Sequence, residues 1–161
     1  MQITFTKPSA PKSGVAVAFA YDGQKLAGTA AALDEASGGS ITRAMTVSRF
    51  DGKSGKTLTL IAPAGLTLDR LVLVGLGKPE ELDDLKVQNA GGTAWAQIAG
   101  VKAKSAAILA DIAVGEDMDE AAMAADIAYG ALLRSYRFDK YRTKEKKEDK
   151  PQIAKLSIAS S

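Results

Sequence analysis

The sequence predicts an α/β fold, a three-layer α/β/α sandwich with a mixed central sheet. Three observations carry the prediction. Strand-like stretches at residues 2–6, 15–20, 57–62, 70–74, 105–110 and 153–158 are interspersed with segments whose apolar residues fall at helical spacing. The stretch at 15–20 is apolar without a break, as expected of an inner strand covered on both faces. Twice, two strand-like stretches follow one another with no helix between them, which argues against an all-parallel sheet.

Each element has a local justification. Ile3 and Phe5 alternate with Gln2, Thr4 and Thr6, the period of a half-buried strand, and Pro8, Pro11, Ser13 and Gly14 then mark a loop. Asp22-Gly23 ends the strand at 15–20. Leu26, Ala30 and Leu33 fall at helical spacing, and that segment stops at Gly38-Gly39. Ser40 is placed to cap a second short helix through Ile41, Ala44 and Met45, and Asp51-Gly52 with Ser54-Gly55 forms a turn. Strands at 57–62 and 70–74 are separated by Pro63-Ala64-Gly65. Pro79 with Glu80, Glu81, Asp83 and Asp84 opens a helix carrying Leu82, Leu85, Trp95 and Ile98. After the strand at 105–110, Asp117 and Glu120 resemble a capping box that opens a long helix through Ala122, Tyr129, Leu132 and Tyr136. Alternation at 153–158 announces one more strand.

Composition narrows the chemistry. The 161 residues include no histidine and no cysteine, with 21 basic against 19 acidic side chains. A Ser-His-Asp triad, imidazole or thiolate metal ligation, a thiol nucleophile and disulfides are thereby excluded from this chain. Catalysis here would have to rest on carboxylates, lysines, hydroxyls or backbone amides. No run approaches the ~20 apolar residues that span a bilayer, and Met1 leads straight into a strand pattern instead of a secretory leader. The expectation is a soluble, cytoplasmic protein. Charge is unevenly spread: residues 1–133 hold 12 basic and 15 acidic side chains, residues 134–150 hold 8 and 4.

Several apparent motifs dissolve on inspection. Gly52-Lys53-Ser54-Gly55-Lys56-Thr57 resembles a phosphate loop, but the required first glycine falls on Phe50 and a strand follows where a helix should. Gly75-Leu76-Gly77 follows a strand as in a dinucleotide fold, yet the third glycine falls on Glu80, an acid that would repel a pyrophosphate. A tight strand-to-helix turn explains both glycines. The acidic clusters at 80–84 and 116–120 open helices, where acids are expected without any metal.

The most distinctive stretch is 132–144, in which Tyr136, Phe138 and Tyr141 interleave with Arg134, Arg137, Lys140, Arg142 and Lys144. One reading is a nucleic-acid or partner contact, with cations on phosphates and rings as stacking faces. The other, favoured because aromatics at a helix end are more often buried, closes the core with cations at the helix C-terminus.

Phe50-Asp51-Gly52-Lys53-Ser54-Gly55-Lys56-Thr57, then Arg70-Leu71-Val72-Leu73-Val74-Gly75-Leu76-Gly77-Lys78, and the Tyr136-Arg137-Phe138-Asp139-Lys140-Tyr141 core, occur in an order that resembles the leucyl (cytosol) aminopeptidase family, specifically its N-terminal domain. The resemblance implies a macro-domain-like fold in which Gly75, Gly77, Tyr136, Phe138, Asp139 and Tyr141 are structural. It implies a domain at 1–143, then a charged linker at 144–161 starting the connection to a C-terminal catalytic domain. In that family two divalent metals, zinc or manganese, activate water to release N-terminal amino acids from peptides. Their ligands surround an Asn-Thr-Asp-Ala-Glu-Gly-Arg-Leu signature that is not found in this sequence. The resemblance thus implies a non-catalytic domain with no cofactor of its own, serving hexamer assembly and substrate access. Some bacterial members also bind DNA, for which 134–147 is the segment to consider.

Overall fold

The computed structural model describes residues 1–114, 116–136 and 150–161. Among the described residues there are seven strands: β1 (Gln2–Thr6), β2 (Gly14–Tyr21), β3 (Lys25–Leu26), β4 (Thr57–Ile61), β5 (Leu68–Gly77), β6 (Ser105–Leu109) and β7 (Lys155–Ala159). Four helices join them: α1 (Thr29–Ala36), α2 (Ser40–Ser48), α3 (Asp84–Ile98) and α4 (Glu120–Ser135), with a 3-10 turn at Pro79–Glu81. The sheet runs β1-β7-β6-β2-β5-β4, and the short β3 pairs with β2. Neighbours are parallel except β4 against β5 and β3 against β2. The sheet is therefore mixed, as expected, with hairpins at β2–β3 and β4–β5. β1 and β2, adjacent in sequence, do not touch as strands.

Alternation along β2 sets the layers. Val15, Val17, Phe19 and Tyr21 face a core built with Trp95, Ile98, Ile127 and Ala131 of α3 and α4. Ala16, Ala18 and Ala20 face the opposite side, where Leu33, Ile41 and Met45 of α1 and α2 cover them. Both faces of this strand are buried, which is why its sequence shows no polar alternation.

The helix ends differ from expectation in detail. Leu26 lies in β3, because the chain first turns back on β2 before α1 begins. Ser40 is not a cap; the residue before α2 is Gly39, and the Asp34 carboxylate accepts from Thr42 N (2.9 Å) instead. Asp119, not Asp117, caps α4 by accepting from Ala122 N (3.1 Å). Pro79 begins the short 3-10 turn, and α3 proper starts after Asp83, which accepts from Lys86 N (2.8 Å).

Close packing and long-range pairing tie these elements together. Helices α3 and α4 cross so closely that a Cβ on Gly130 would overlap the carbonyl oxygen of Gln88, and one on Gly91 that of Ile127. In addition, β7 lies between β1 and β6, with Leu156 and Ile158 fully buried. A domain ending at 143 thus stops short. Residues 155–159 fill the gap between β1 and β6 and belong to the sheet.

Candidate functional site

Open α/β sheets bind ligands beyond the carboxyl ends of their strands, where successive connections leave toward opposite faces. Here that point lies between β2, which leads to α1, and β6, which leads to α4. The residues meeting there are Tyr21, Gly28, Thr29, Asp111 and Ile112. Tyr21 Oη donates to the Ile112 carbonyl at 2.6 Å, and burial pushes the phenol up to about 12. Asp111 Oδ2 accepts from both Thr29 N (2.7 Å) and Thr29 Oγ1 (2.6 Å), so a residue after β6 caps α1. Gly28, at φ 48° and ψ −124°, adopts backbone angles essentially closed to other residues, and a Cβ on it would overlap Asp111. Side chain and backbone thus close the crevice from within. Asp111 Oδ1 is buried with no hydrogen-bond partner among the described residues.

The two glycine motifs form one unit on the other side of β2. A Cβ at Gly75 would overlap the Lys53 carbonyl oxygen, and Gly77 N donates to Gly52 O at 2.9 Å. Gly75 N donates to Lys56 O (2.8 Å), and Gly55 N to Gly75 O (3.2 Å). The loop at 50–56 therefore packs directly on the end of β5, which contains both glycines. Its lysines are engaged locally: Lys53 Nζ lies 3.4 Å and Lys56 Nζ 3.3 Å from Asp51 Oδ2. A hydrogen bond from Lys53 N, aided by both ammonium groups, holds the Asp51 carboxyl below the usual carboxylate range.

The acidic clusters come together without forming a metal centre. Asp83, Asp84, Asp117, Asp119 and Asp126 line a depression of about 210 Å³ where the N-termini of α3 and α4 meet. Asp83 and Asp119 are occupied as caps, and Asp126 Oδ1 accepts from Gln88 Nε2 at 2.8 Å. Among the described residues, no group of three or more carboxylates is placed to hold a metal ion. The donor set does not fit the two-metal chemistry of peptide hydrolysis, and these residues support no hydrolytic step.

Of the basic segment, only its start has described geometry. Arg134 sits in the last turn of α4 and lines a groove with Gln88, Asn89, Gly92 and Thr93 of α3. Tyr136 follows the helix end and is exposed. Arg137, Phe138, Asp139, Lys140, Tyr141, Arg142 and Lys144 lie outside the described residues. Sequence inspection missed the Tyr21–Ile112 and Asp111–Thr29 links. The only local signals were a Gly-Thr before a helix and an aspartate just past a strand.

A family model described as the cytosol aminopeptidase family, N-terminal domain, matches residues 16–145. Among similar curated proteins, a probable cytosol aminopeptidase of Caulobacter vibrioides is 37% identical over 164 residues, covering 100% of this chain and 32% of the relative. One from Agrobacterium fabrum is 39% identical over 156 residues, covering 97% and 30%. Another, from Rhodopseudomonas palustris, is 35% identical over 158 residues, covering 98% and 31%. The chain thus spans just under a third of the length of these relatives. Among solved structures, a tomato leucine aminopeptidase variant superposes with a TM-score of 0.72 at 21% identity, covering 99% of this chain and 32% of that one. The bottromycin maturation enzyme BotP gives 0.64 at 18%, covering 93% and 27%. These likenesses show a shared fold.

Proposed function

Because the chain belongs to the cytosol aminopeptidase family, as its N-terminal domain, we propose that it is the non-catalytic part of a leucyl aminopeptidase. The parent on this reading is a cytoplasmic, metal-dependent exopeptidase that releases N-terminal amino acids from peptides. Two divalent metals, zinc or manganese, would be held by a separate catalytic domain and supply the activated water. The N-terminal domain contributes to assembly of a homo-hexamer and limits which substrates reach an interior site.

The observation that carries this reading is the division of labour among the acidic side chains. Asp34, Asp83, Asp111 and Asp119 accept hydrogen bonds at helix N-termini, and Asp51 pairs with the lysines of its own turn. Where such side chains do share a depression, as Asp83 and Asp119 do, they form no group placed to hold a metal ion among the described residues. A role in assembly is supported by the outer surface of the helical pair, where Leu85 is 65% exposed and Leu133 56%, beside half-exposed Tyr129 and Leu132. Clustered exposed apolar side chains mark contact surfaces.

The test is turnover of a leucyl anilide with manganese or zinc. The 161-residue chain is expected to show none. A version carrying about three hundred further residues with the Asp-Ala-Glu-Gly-Arg signature is expected to be active and oligomeric. Metal-dependent hydrolysis by the short chain alone overturns the proposal.

A further inference from the structure

Strand β1 ends the sheet, and its outward edge has no strand against it among the described residues. Gln2 N donates to Ala154 O (2.8 Å), and Thr6 O accepts from Ser160 N (2.9 Å). Even-numbered residues therefore turn their backbone groups inward to β7, and alternation leaves the N–H and C=O of Ile3 and Phe5 facing outward. Proteins usually protect such an edge with charge, proline or a bulge. Residues 2–6 have no charge and no proline, and their register with β7 is unbroken. Phe5 is 60% exposed.

We propose that β1 is a two-fold assembly site, pairing antiparallel with β1 of a second copy of this chain about an axis through Thr4. The strand is self-complementary in that one register. Ile3 then lies opposite Phe5 of the second copy and Phe5 opposite its Ile3, so the outward donors and acceptors of both residues are all satisfied by four hydrogen bonds. The apolar residues meet on the α3/α4 side, where Ile3 already packs against the core. Thr4 faces Thr4, and Gln2 faces Thr6, on the other side. Centring the pair on Phe5 would set Ile3 against Lys7, and centring it on Ile3 would set Phe5 against Met1. Only the Thr4-centred register gives both isoleucine–phenylalanine pairs, the kind of cross-strand contact that stabilises sheets. The contact is isologous and closed, so it makes dimers and not filaments. It deepens the proposed assembly role and rests on that reading for its purpose, though not for its geometry.

The absence of cysteine makes the test direct. In the Thr4-centred register the two Thr4 residues form a non-hydrogen-bonded pair with Cα atoms about 4.5 Å apart, within the span a disulfide can bridge. The exposed Thr4→Cys variant, oxidised with glutathione disulfide at micromolar concentration, is expected to become a covalent dimer at least tenfold faster than Gln2→Cys. Adding Phe5→Lys to Thr4→Cys should abolish that advantage. Phe5→Pro, which removes the ring and an outward N–H but no hydrogen bond to β7, should do the same while circular dichroism stays unchanged. Equal cross-linking of Thr4→Cys and Gln2→Cys overturns the proposal. So does a dimer in solution that Thr4→Cys fails to trap, since it must use another surface. If the longer, active protein forms hexamers but Thr4→Cys within it does not cross-link, the edge pairing fails and the assembly role stands.

Discussion

Replacing single glycines in the α3–α4 crossing by alanine tests the packing of the whole helical layer. In an unencumbered helix this change stabilises by about 0.4–1 kcal/mol, because alanine has less backbone freedom to lose. Gly92 meets that condition: its added Cβ would lie 3.5 Å from Gly130 O, an ordinary contact. Gly91 and Gly130 do not. The Cβ at Gly91 would lie 2.8 Å from the carbonyl carbon of Ile127, and that at Gly130 would lie 2.6 Å from that of Gln88. The obstacles are backbone atoms inside the facing helix, so relief requires parting two helices whose Trp95, Ile98 and Ile127 pack in the core with β2. Overpacking of this kind costs about 1–3 kcal/mol. From the upper part of that range, less the propensity gain, a net loss of about 1–2 kcal/mol follows. For a chain of this size that lowers Tm by roughly 2–8 °C. The double variant should cost less than the two singles combined, because the first substitution has already parted the helices. Thermal denaturation followed by circular dichroism, with urea titration as a second probe, measures all four. Gly91→Ala or Gly130→Ala matching Gly92→Ala in stability would refute the close crossing.

Three further outcomes are expected. Tyr21→Phe keeps the ring but leaves the Ile112 carbonyl unpaired, lowering stability at neutral pH by about 1–3 kcal/mol in urea titration. Because the Tyr21 phenol is pushed up to about 12, its contribution is complete below pH 10 and is lost as pH rises through about 12. Tyr21→Phe should therefore remove part of the alkaline decline seen in the parent chain. The Asp51 carboxyl is held down mainly by the Lys53 N–H, so its contribution is present above the ordinary carboxylate range and is lost as pH falls through the folded value. Asp51→Asn should lower Tm slightly at neutral pH and converge with the parent as pH falls, so that the acid limb of its Tm-against-pH curve is flatter. Asp111→Ala removes the cap of α1 and should cost about 1 kcal/mol, with hydrogen exchange increased first at the amides of α1.

Much of the fold was legible because its signals are local. The unbroken apolar run of β2 announced an inner strand, and Gly38-Gly39 announced the break between α1 and α2. What stayed hidden depends on partners remote in sequence. Nothing near Asp111 in the chain shows that its carboxylate caps α1, which lies 82 residues before it. Likewise, the glycines at 75 and 77 read as a tight turn in sequence, but both lie within β5, packed against the loop at 50–56. The stretch at 153–158 was recognisable as a strand, yet its place between β1 and β6 is a property of topology and has no local mark. The basic segment was conspicuous in sequence, but only Arg134 and Tyr136 of its named residues have described positions.

The inner position of β7 also dictates an order of events during synthesis. β1 is translated before the other described strands, but its neighbour in the sheet among them is β7, with Gln2 registered against Lys155. β2, β4, β5 and β6 can pair as they appear, whereas β1 must wait, unpaired, for nearly the whole domain to be translated. Contacts of such long sequence separation form late and slowly. Over that interval the uncharged stretch at residues 2–6 lacks the β7 strand it pairs with in the folded sheet. Release of residues 155–159 is then the step that shelters it, so β1 takes its place in the sheet only when β7 arrives.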